Sequence, residues 1–526
     1  MKIIMPIAIA FFAFIMSSCE TDKNPDEKSL IDKKIDTKIN EIVESMPELT
    51  FPDTTINLIE YAGFEPDGEG SKNFQPALNK AIKELSEAGG GTIYLSHSSG
   101  DSDLWVKETE VYRMDGPINL KSNIRLLLDY GTKIQFTYDP ENYLVDGEGV
   151  ITRWEGVSIK SFSPLIRAFN AENIAIEAAD GHGAMPVIDG DGEKWGLWSF
   201  ENDREREYKK VLHRLSDTDV KLAHREFVDI NKDYYRPFLM EFYLCKNVRI
   251  EGLELRNTPF WTVHFLFSEY ARARNLVFNV HGENSDGVDP ESSHNVLIEN
   301  CHFNNHDDNV AIKSGRNKEG REGVDITGTE LEGIESKFIK DDKIYGSTEN
   351  IVVRNNVLKG HHAICIGSEV AGSVRNVFVN DNTGVQSVRY GLFIKSSPKR
   401  GGIVEDIYVR DLKLEKASLG IVLNPCYAKQ DTVSSYYPLF KNIYMKDIEI
   451  EQARKGAIQI LGWPELPIEN VHLEGITINE VLNRNQEDWT MVRNANNVTL
   501  KNVEIEDQVF DGDFSDSSGE IPVPTE

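Results

Sequence analysis

Three aspartates, Asp286, Asp307 and Asp308, are the residues whose types and spacing most directly indicate chemistry. Asp286 and Asp307 are 21 positions apart, which is typical of one repeat in a chain that stacks short coils. In such a solenoid, residues one repeat apart lie about 4.8 Å from each other, one strand spacing. Like charges at that distance cannot all be stably ionised, so we expect one acid to keep its proton near neutral pH. Cleavage of a glycosidic bond uses such a set: one acid protonates the leaving oxygen and a carboxylate activates water.

A repeated phrase predicts the scaffold that brings these acids together. An Asn or Asp is followed by alternating β-formers, a polar break and a second short strand. Short strands rich in Ile and Val argue against helices, and the near absence of Asn-Gly hairpin turns argues against a sandwich. The pattern predicts an all-β parallel β-helix whose Asn residues take left-handed backbone and stack their amides. Copies begin at Asn173, Asn247, Asn275, Asn295, Asn350, Asn376, Asp406, Asn442, Asn470 and Asn497.

The predicted catalytic β-helix occupies residues 52–510, and an acidic tail without order is expected over 511–526. Residues 71–95 contain an amphipathic helix followed by glycines, which we expect to cap the N-terminal end of the solenoid. Two charged segments, residues 200–236 and 315–348, interrupt the repeat. Because long loops are often functional, we expect the second to wall a cleft, with a solvated surface insertion as the alternative.

The first 51 residues are predicted to be a targeting region. An apolar run over residues 3–16 is too short to span a bilayer and suits a secretory signal. Ser17-Ser18-Cys19 resembles the end of a bacterial lipoprotein signal over residues 1–19, in which Cys19 would be lipidated; an ordinary signal peptide is the alternative. Residues 20–51 are predicted to be a tether with a short helix. We expect an exported protein, lipid-anchored in the cell envelope and touching the membrane only through its anchor.

The charge balance excludes several partners. The chain has 57 basic and 86 acidic residues, a formal net charge of −29. Nucleic acid and anionic lipid are not expected as partners, because phosphate binding needs clustered Lys and Arg. The cysteines inside the strands, Cys245, Cys301, Cys365 and Cys426, lack zinc-site spacing and are predicted to be buried thiols. We expect a monomer that needs neither a metal nor an organic cofactor.

Four ordered motifs resemble glycoside hydrolase family 28, the polygalacturonase family. They lie at residues 284–287, 307–315, 360–369 and 393–395, and the resemblance covers roughly residues 52–510. It implies a right-handed parallel β-helix and an inverting hydrolase of α-glycosidic bonds in pectic, galacturonic-acid-containing polysaccharides or oligosaccharides. A pectic glycan is therefore the expected partner.

The resemblance also implies residue roles. Asp307 would be the general acid, and Asp286 and Asp308 would position and deprotonate the attacking water. His361 would tune the acid; His362 is the alternative, because this chain has His-His where the family usually has His-Gly. Spacing to residues 366–368 favours His361.

Further residues are expected to brace the site or bind the sugar. Asn284, His362 and Lys313 are predicted to contact the substrate, and Asp289 is predicted to be a structural carboxylate. Trp261 and His264 could stack on a sugar ring, with a core role for Trp261 as the alternative.

The fourth motif departs from the family pattern. The family usually has Arg-Ile-Lys, whose two cations bind a galacturonate carboxylate, whereas this chain has Phe393-Ile394-Lys395. Residues two apart on a strand share a face, so Phe393 is expected beside Lys395 in the cleft, where it could stack on a sugar. Loss of the guanidinium removes a bidentate clamp, for which Arg389 could compensate. A modified or branched pectin is therefore a possible substrate.

Two rival functions remain open at the level of the sequence. One is a polysaccharide lyase on the same fold, and the other is a non-catalytic glycan-binding β-helix lipoprotein. The ordered motifs favour hydrolysis over elimination. A binding protein would have no use for crowded acids that destabilise one another.

Overall fold

The computed structural model describes residues 30–97, 110–200, 204–231, 235–427, 435–483, 485 and 489–522. The predicted signal peptide, with Cys19, lies outside these residues. Over the described ranges, no helix is both long enough and apolar enough to cross a membrane.

The predicted parallel β-helix is confirmed, and it has three faces. The face that carries the aspartates, here called the site sheet, stacks Ile118–Leu120, Ile166–Phe169, Met240–Tyr243, Val263–Leu266, Val288–Glu291, Val310–Ile312, His362–Ile366, Val388–Lys395 and Thr490–Arg493. A second face stacks Thr55–Asn57, Gly91–Leu95, Ile124–Leu128, Glu172–Ala178, Lys246–Glu251, Glu269–Arg274, His294–Glu299, Thr348–Arg354 and Ala495–Ile505.

The third face is shorter, and long bent strands join the faces in the later coils. The third face stacks Glu110–Met114, Thr132–Phe136, Val187–Asp189, Glu254–Arg256, Val277–Val280, His302–Asn305 and Val357–Leu358. The bent strands are Val374–Gly384, Ile403–Asn424, Leu439–Leu461 and Ile468–Val481. Alternate Ile, Val, Leu and Phe side chains fill the interior, because successive strand residues point to opposite faces.

Helices cap the N-terminal end of the solenoid and pack on its outside. Helix α1 spans Leu30–Glu44, α2 Leu58–Ala62, α3 Gln75–Glu87, α4 Gly192–Phe200, α5 Arg204–Leu215 and α6 Asn317–Glu322. The predicted cap is α3, whose Leu78, Ile82 and Leu85 are buried against the first coils. Short 3₁₀ turns span Pro140–Tyr143 and Leu222–His224.

Asparagine ladders hold successive coils in register, as the repeated phrase predicts. The Asn350 side chain donates to Asn295 Oδ1 at 3.0 Å and accepts from Asn376 Nδ2 at 3.1 Å. All three residues have positive φ, between 56° and 61°. The left-handed backbone turns the chain between faces, and the side-chain amide forms hydrogen bonds with the asparagines of the coils on both sides.

The N-terminal helix packs on the solenoid, and the C-terminal tail has more order than the sequence predicts. Helix α1 buries Ile35, Ile39 and Ile42 against the outside of the second face. The acidic tail was expected to lack order, and that expectation is wrong for its described part. Gln508–Asp513 pairs antiparallel with Ala495–Ile505, because backbone groups at the last coil would otherwise be unpaired.

The two interrupting segments pack beside the site sheet. The first contributes helix α5, and the second contributes α6 and a small sheet of Val324–Asp325, Ile339–Lys340 and Lys343–Ile344. An antiparallel hairpin, Val150–Trp154 with Val157–Ser161, joins them. Ser158 N donates to Glu319 Oε1 at 2.7 Å, so the hairpin is fastened to α6.

The asparagine ladder yields a stability prediction. Asn350→Ala removes two ladder hydrogen bonds and places alanine, which tolerates left-handed backbone less well than asparagine, at φ 61°, so we expect a loss of about 2 kcal/mol. Asn350→Gly loses the same bonds without the backbone strain and should lose about 1 kcal/mol. Guanidinium unfolding midpoints of both variants measure this. An Ala variant as stable as the wild type would refute the role assigned to the ladder.

Candidate active site

The strand register places Asp286 beside Asp308. Val288 pairs with Val310, an offset of 22 residues, and Gly287 N donates to the Asp308 carbonyl at 2.9 Å. The spacing predicted that Asp286 stacks on Asp307 at an offset of 21, and the register corrects this prediction by one residue. Close stacking here requires glycine: a Cβ on Gly287 would lie 2.4 Å from the Asn309 carbonyl oxygen.

Asp308 is buried between two cationic or polar partners. Lys395 Nζ lies 2.8 Å from Asp308 Oδ2, and His362 Nδ1 lies 2.5 Å from Asp308 Oδ1. Burial alone would raise the pKa of Asp308, but Lys395 and His362 outweigh it and hold the pKa well below its ordinary value. Burial lowers the pKa of His362 to about 4, so its imidazole is neutral at pH 7. Asp308 is therefore a fixed carboxylate.

The surroundings of Asp286 favour its neutral form, whereas those of Asp308 favour the carboxylate. Its Oδ2 accepts a hydrogen bond from Lys313 Nζ at 2.8 Å, and Lys313 also binds Asp289. Burial raises the pKa of Asp286 well above its ordinary value; Lys313 opposes this, and the charges of Asp289, Asp307 and Asp308 add to it. Burial also raises the pKa of Asp289 to about 6. The predicted bracing role of Asp289 matches its contact with Lys313.

Asp307 is the most exposed of the three aspartates. Its side chain is 26% exposed, and Oδ1 accepts a hydrogen bond from Asp308 N at 3.0 Å. His361 Nδ1 lies 3.6 Å from Asp307 Oδ1, and His361 Nε2 lies 3.2 Å from Arg389 Nη1. The structure thus brings His361 next to the predicted acid and His362 next to Asp308.

A cavity of about 220 Å³ opens over these groups. The predicted residues Asn284, Lys313 and Lys395 line it together with the three aspartates. Both interrupting segments line the cavity. Residues 315–348, which were predicted to wall a cleft, contribute Arg316. The first segment also contributes, through Lys209 and His213 of helix α5.

Several lining residues were missed by the sequence analysis. They are Glu155, Lys209, His213, Arg316, Ser368, Glu369, Arg400 and Tyr427. Ser368 and Glu369 lie in the third motif, residues 360–369, so the signal for them was present. The others come from the hairpin, helix α5 and turns outside the repeat, where periodicity gives no position.

Phe393 corrects the prediction of a sugar-stacking residue. It lies beside Lys395, with Nζ 5.3 Å from the ring centroid, as expected. Its side chain is 0% exposed, however, because the register stacks Cys365, Phe393 and Val422 in one column under Tyr390. The ring cannot stack on a sugar in this arrangement.

Three further assignments change. His264 is fully buried between Glu241 and Glu291, each 3.2 Å away, and does not reach a sugar. His362 is buried against Asp308, so it positions that carboxylate instead of contacting substrate. Arg389 contacts His361, which gives no support to its replacing the missing arginine.

Trp261 has the contacts of a core residue and also lines the cavity, and its stacking on a sugar stays a prediction. Its side chain is nearly buried, stacked on Phe260 at 5.1 Å, yet it lines the cavity. Lys313 Nζ lies 3.5 Å from the Trp261 ring centroid, a cation–π contact that helps to place the lysine between Asp286 and Asp289.

One group of side chains has the spacing of a metal site. Ligand atoms of Asp307, Asp308, His361 and His362 all lie within 4.8 Å of one another. Lys395 at 2.8 Å from Asp308 already neutralises that carboxylate and opposes a second cation. The expected independence from metals stays a prediction.

Carboxylates facing a cavity on one sheet of a parallel β-helix are the arrangement expected of a β-helix glycosidase. The sequence model described as Glycosyl hydrolases family 28 matches residues 156–501. The chain belongs to this family and is a glycoside hydrolase.

Known proteins resemble it along most of their length. A probable polygalacturonase of Vitis vinifera is 24% identical over 82% of this chain and 76% of that protein. An endo-polygalacturonase of Pectobacterium carotovorum is 24% identical over 81% and 87%. The hyperthermoactive exopolygalacturonase of Thermotoga maritima is 29% identical, with a TM-score of 0.74 over 90% of this chain and 97% of that one. The shared fold is the predicted right-handed β-helix.

His264 provides a pH-dependent stability test. Burial alone would lower its pKa, but hydrogen bonds to Glu241 and Glu291 raise the pKa to about 9. A raised pKa means that the imidazolium stabilises the fold fully below pH 6.5 and that this contribution, about 3 kcal/mol at most, is lost as the pH rises through 9.

The measurement compares His264→Gln with the wild type in thermal unfolding from pH 6 to pH 10. The variant should be less stable at pH 6, and the difference should shrink by pH 10. A difference that stays constant across this range would contradict the charged state assigned to His264.

Proposed function

We propose that the protein hydrolyses α-galacturonosyl bonds in pectic chains with inversion of configuration. The observation that supports this most is the division of the three aspartates by their partners. Lys395 and His362 hold Asp308, Lys313 holds Asp286, and Asp307 faces the cavity. An inverting reaction needs one proton donor and one carboxylate system that activates water on the opposite face of the sugar.

In this proposal Asp307 donates its proton to the glycosidic oxygen as the bond to the anomeric carbon breaks. A carboxylate whose pKa is held low by an ammonium group is a poor proton donor, which excludes Asp308. Asp286 is 5% exposed and Asp307 is 26% exposed, so Asp307 is the acid that reaches the glycosidic oxygen. Asp286 and Asp308 lie on adjacent coils and together orient a water. The raised pKa of Asp286 makes it the stronger base of the two once it is ionised.

His361 has a positioning role next to the acid. Arg389 Nη1 faces His361 Nε2, so that nitrogen accepts a hydrogen bond and Nδ1 carries the hydrogen that points to Asp307. With its hydrogen on this side, the imidazole stabilises the carboxylate that Asp307 becomes after it has given up its proton.

The walled cavity supports action near a chain end. Its volume of about 220 Å³ is on the order of one sugar ring, and residues of the hairpin, α5 and α6 close one side of it. The exopolygalacturonase of Thermotoga maritima shares the fold at 29% identity. Release of single sugar units from oligogalacturonides would support this part of the proposal, and mixed long products from early times would oppose it.

The specific substrate is proposed to be a galacturonate-containing pectin, and a modified or branched pectin is the alternative to test. The motif arginine is absent at Phe393, which alters how the sugar beside the scissile bond is bound. A panel of plain, methylated and branched pectic oligosaccharides, with product masses as the readout, ranks these substrates.

We also propose that the protein is exported and lipid-anchored through Cys19, and that it is a monomer. The apolar run over residues 3–16 and the small residues before Cys19 support the first part. Metabolic labelling with a fatty-acid probe tests it: Cys19→Ser should abolish the label.

Asp307→Asn tests the proton donor. The exchange keeps shape and removes the proton, so we expect kcat to fall by about 10³-fold with an unchanged melting temperature. Asp447→Asn, on a distal coil with φ 51°, is the matched control and should keep full activity. Reducing-sugar release from polygalacturonate measures both variants; an Asp307→Asn enzyme with wild-type kcat would remove Asp307 from this role.

The reaction type has its own test. Proton NMR during cleavage should show the β-anomer as the first product of an α-linked substrate. A first product that retains the α-configuration would contradict the inverting arrangement. Absorbance near 235 nm from unsaturated products would indicate a lyase instead.

A further inference from the structure

A buried arginine lies at the walled end of the cavity, outside the motifs. Arg400 follows the strand Val388–Lys395 by five residues, is 3% exposed and lines the cavity. Its Nη1 forms an ion pair with Glu369 Oε1 at 3.0 Å, yet over the described ranges this nitrogen has no hydrogen-bond partner. A buried guanidinium that lines a cavity and keeps one unused donor indicates a missing acceptor.

The charges around Arg400 leave it incompletely neutralised. Arg316 Nη2 binds the same Glu369 oxygen at 2.6 Å, so two guanidinium groups share one carboxylate. Glu155, the other acid at this end, is bound by Lys209, His213 and Arg316.

The protonation states confirm the excess of positive charge at this end. Burial lowers the pKa of His213 to about 4, which leaves it neutral. Two carboxylates therefore face three cations: Lys209, Arg316 and Arg400. Burial lowers the pKa of Arg400 to about 10, because Glu369 compensates its charge only in part. An added anion would relieve this imbalance.

We propose that Arg400 binds the carboxylate of a uronate residue of the substrate, with Lys395 on the adjoining strand end as the second cation. This deepens the proposed function and rests on it for the identity of the sugar. The loop arginine takes over the task that the family motif gives to the residue at position 393. Arg389, the candidate from the sequence, is engaged with His361 instead.

The chemistry predicts selectivity for the free acid. A carboxylate accepts two parallel N–H bonds from a guanidinium, whereas a methyl ester or a neutral sugar carries no charge to offset the buried cation. The protein should therefore bind a trigalacturonate more tightly than its methyl ester, despite its net charge of −29.

The test is equilibrium titration of Asp307→Asn, which holds the substrate uncut, with trigalacturonate and with its methyl ester. We expect at least about a 10-fold preference for the free acid, and Arg400→Gln in the same background should abolish it while ester binding stays within about 2-fold. Arg389→Gln is the matched control and should keep the preference. Glu369 remains paired with Arg316 in the Arg400→Gln protein, and melting curves check its fold.

Two results would overturn the inference: a preference that survives Arg400→Gln, or equal loss of acid and ester binding, which indicates a structural role. If Arg400→Gln does not fold, Arg400→Lys keeps the charge and loses the bidentate geometry, so the preference should fall to an intermediate value. An unchanged preference in Arg400→Lys would count against the clamp. Failure of the proposed function is a separate result, because it appears as absence of hydrolysis by the wild type.

Discussion

Three lysine–aspartate contacts between coils of the site sheet determine the chemistry of this site. Lys313 lies between Asp286 and Asp289, and Lys395 binds Asp308. Without these ammonium groups, stacking several carboxylates in the interior of one sheet would be prohibitively unfavourable. With them, the trio separates: the pKa of Asp286 is raised by burial, and that of Asp308 is held low. The solenoid sets the spacing of the aspartates, and the lysines offset the repulsion between their carboxylates.

The walls of the cavity depend on a second set of buried charges. Glu319 of α6 binds Arg225, and Glu369 binds Arg316 and Arg400, so the inserted segments are fixed to the turns that follow the site strands. Partners removed singly from such a network leave an uncompensated charge, which costs several kcal/mol. The rigidity of the wall and the placement of the cationic groups therefore have one cause.

Periodicity predicted most of the fold, because each coil repeats the same local solution. The Asn ladder at Asn295, Asn350 and Asn376 follows from the repeated phrase. The catalytic aspartates were found by type and spacing, although the true offset is 22 residues and aligns Asp286 with Asp308. This difference of one residue in the register matters because it decides which carboxylates stack on each other.

Non-repeating features could not be predicted in this way. Phe393 is buried because Cys365 and Val422 stack above and below it, a column that depends on the lengths of intervening loops. Arg400 lies in a turn with no periodic signal, and its partner Glu369 comes from a different coil. Tertiary contacts between loops of separate coils leave no pattern in a single sequence.

Carbon-13 NMR of selectively labelled aspartate carboxyls, assigned with Asp286→Asn and Asp308→Asn, tests the central claim most directly. The Asp286 carboxyl should titrate well above the ordinary range for aspartate, and the Asp308 carboxyl should stay ionised to well below it. Titration of both groups together in the ordinary range, or in the reverse order, would contradict the difference in charge between Asp286 and Asp308 that the buried lysines impose on this water-orienting pair.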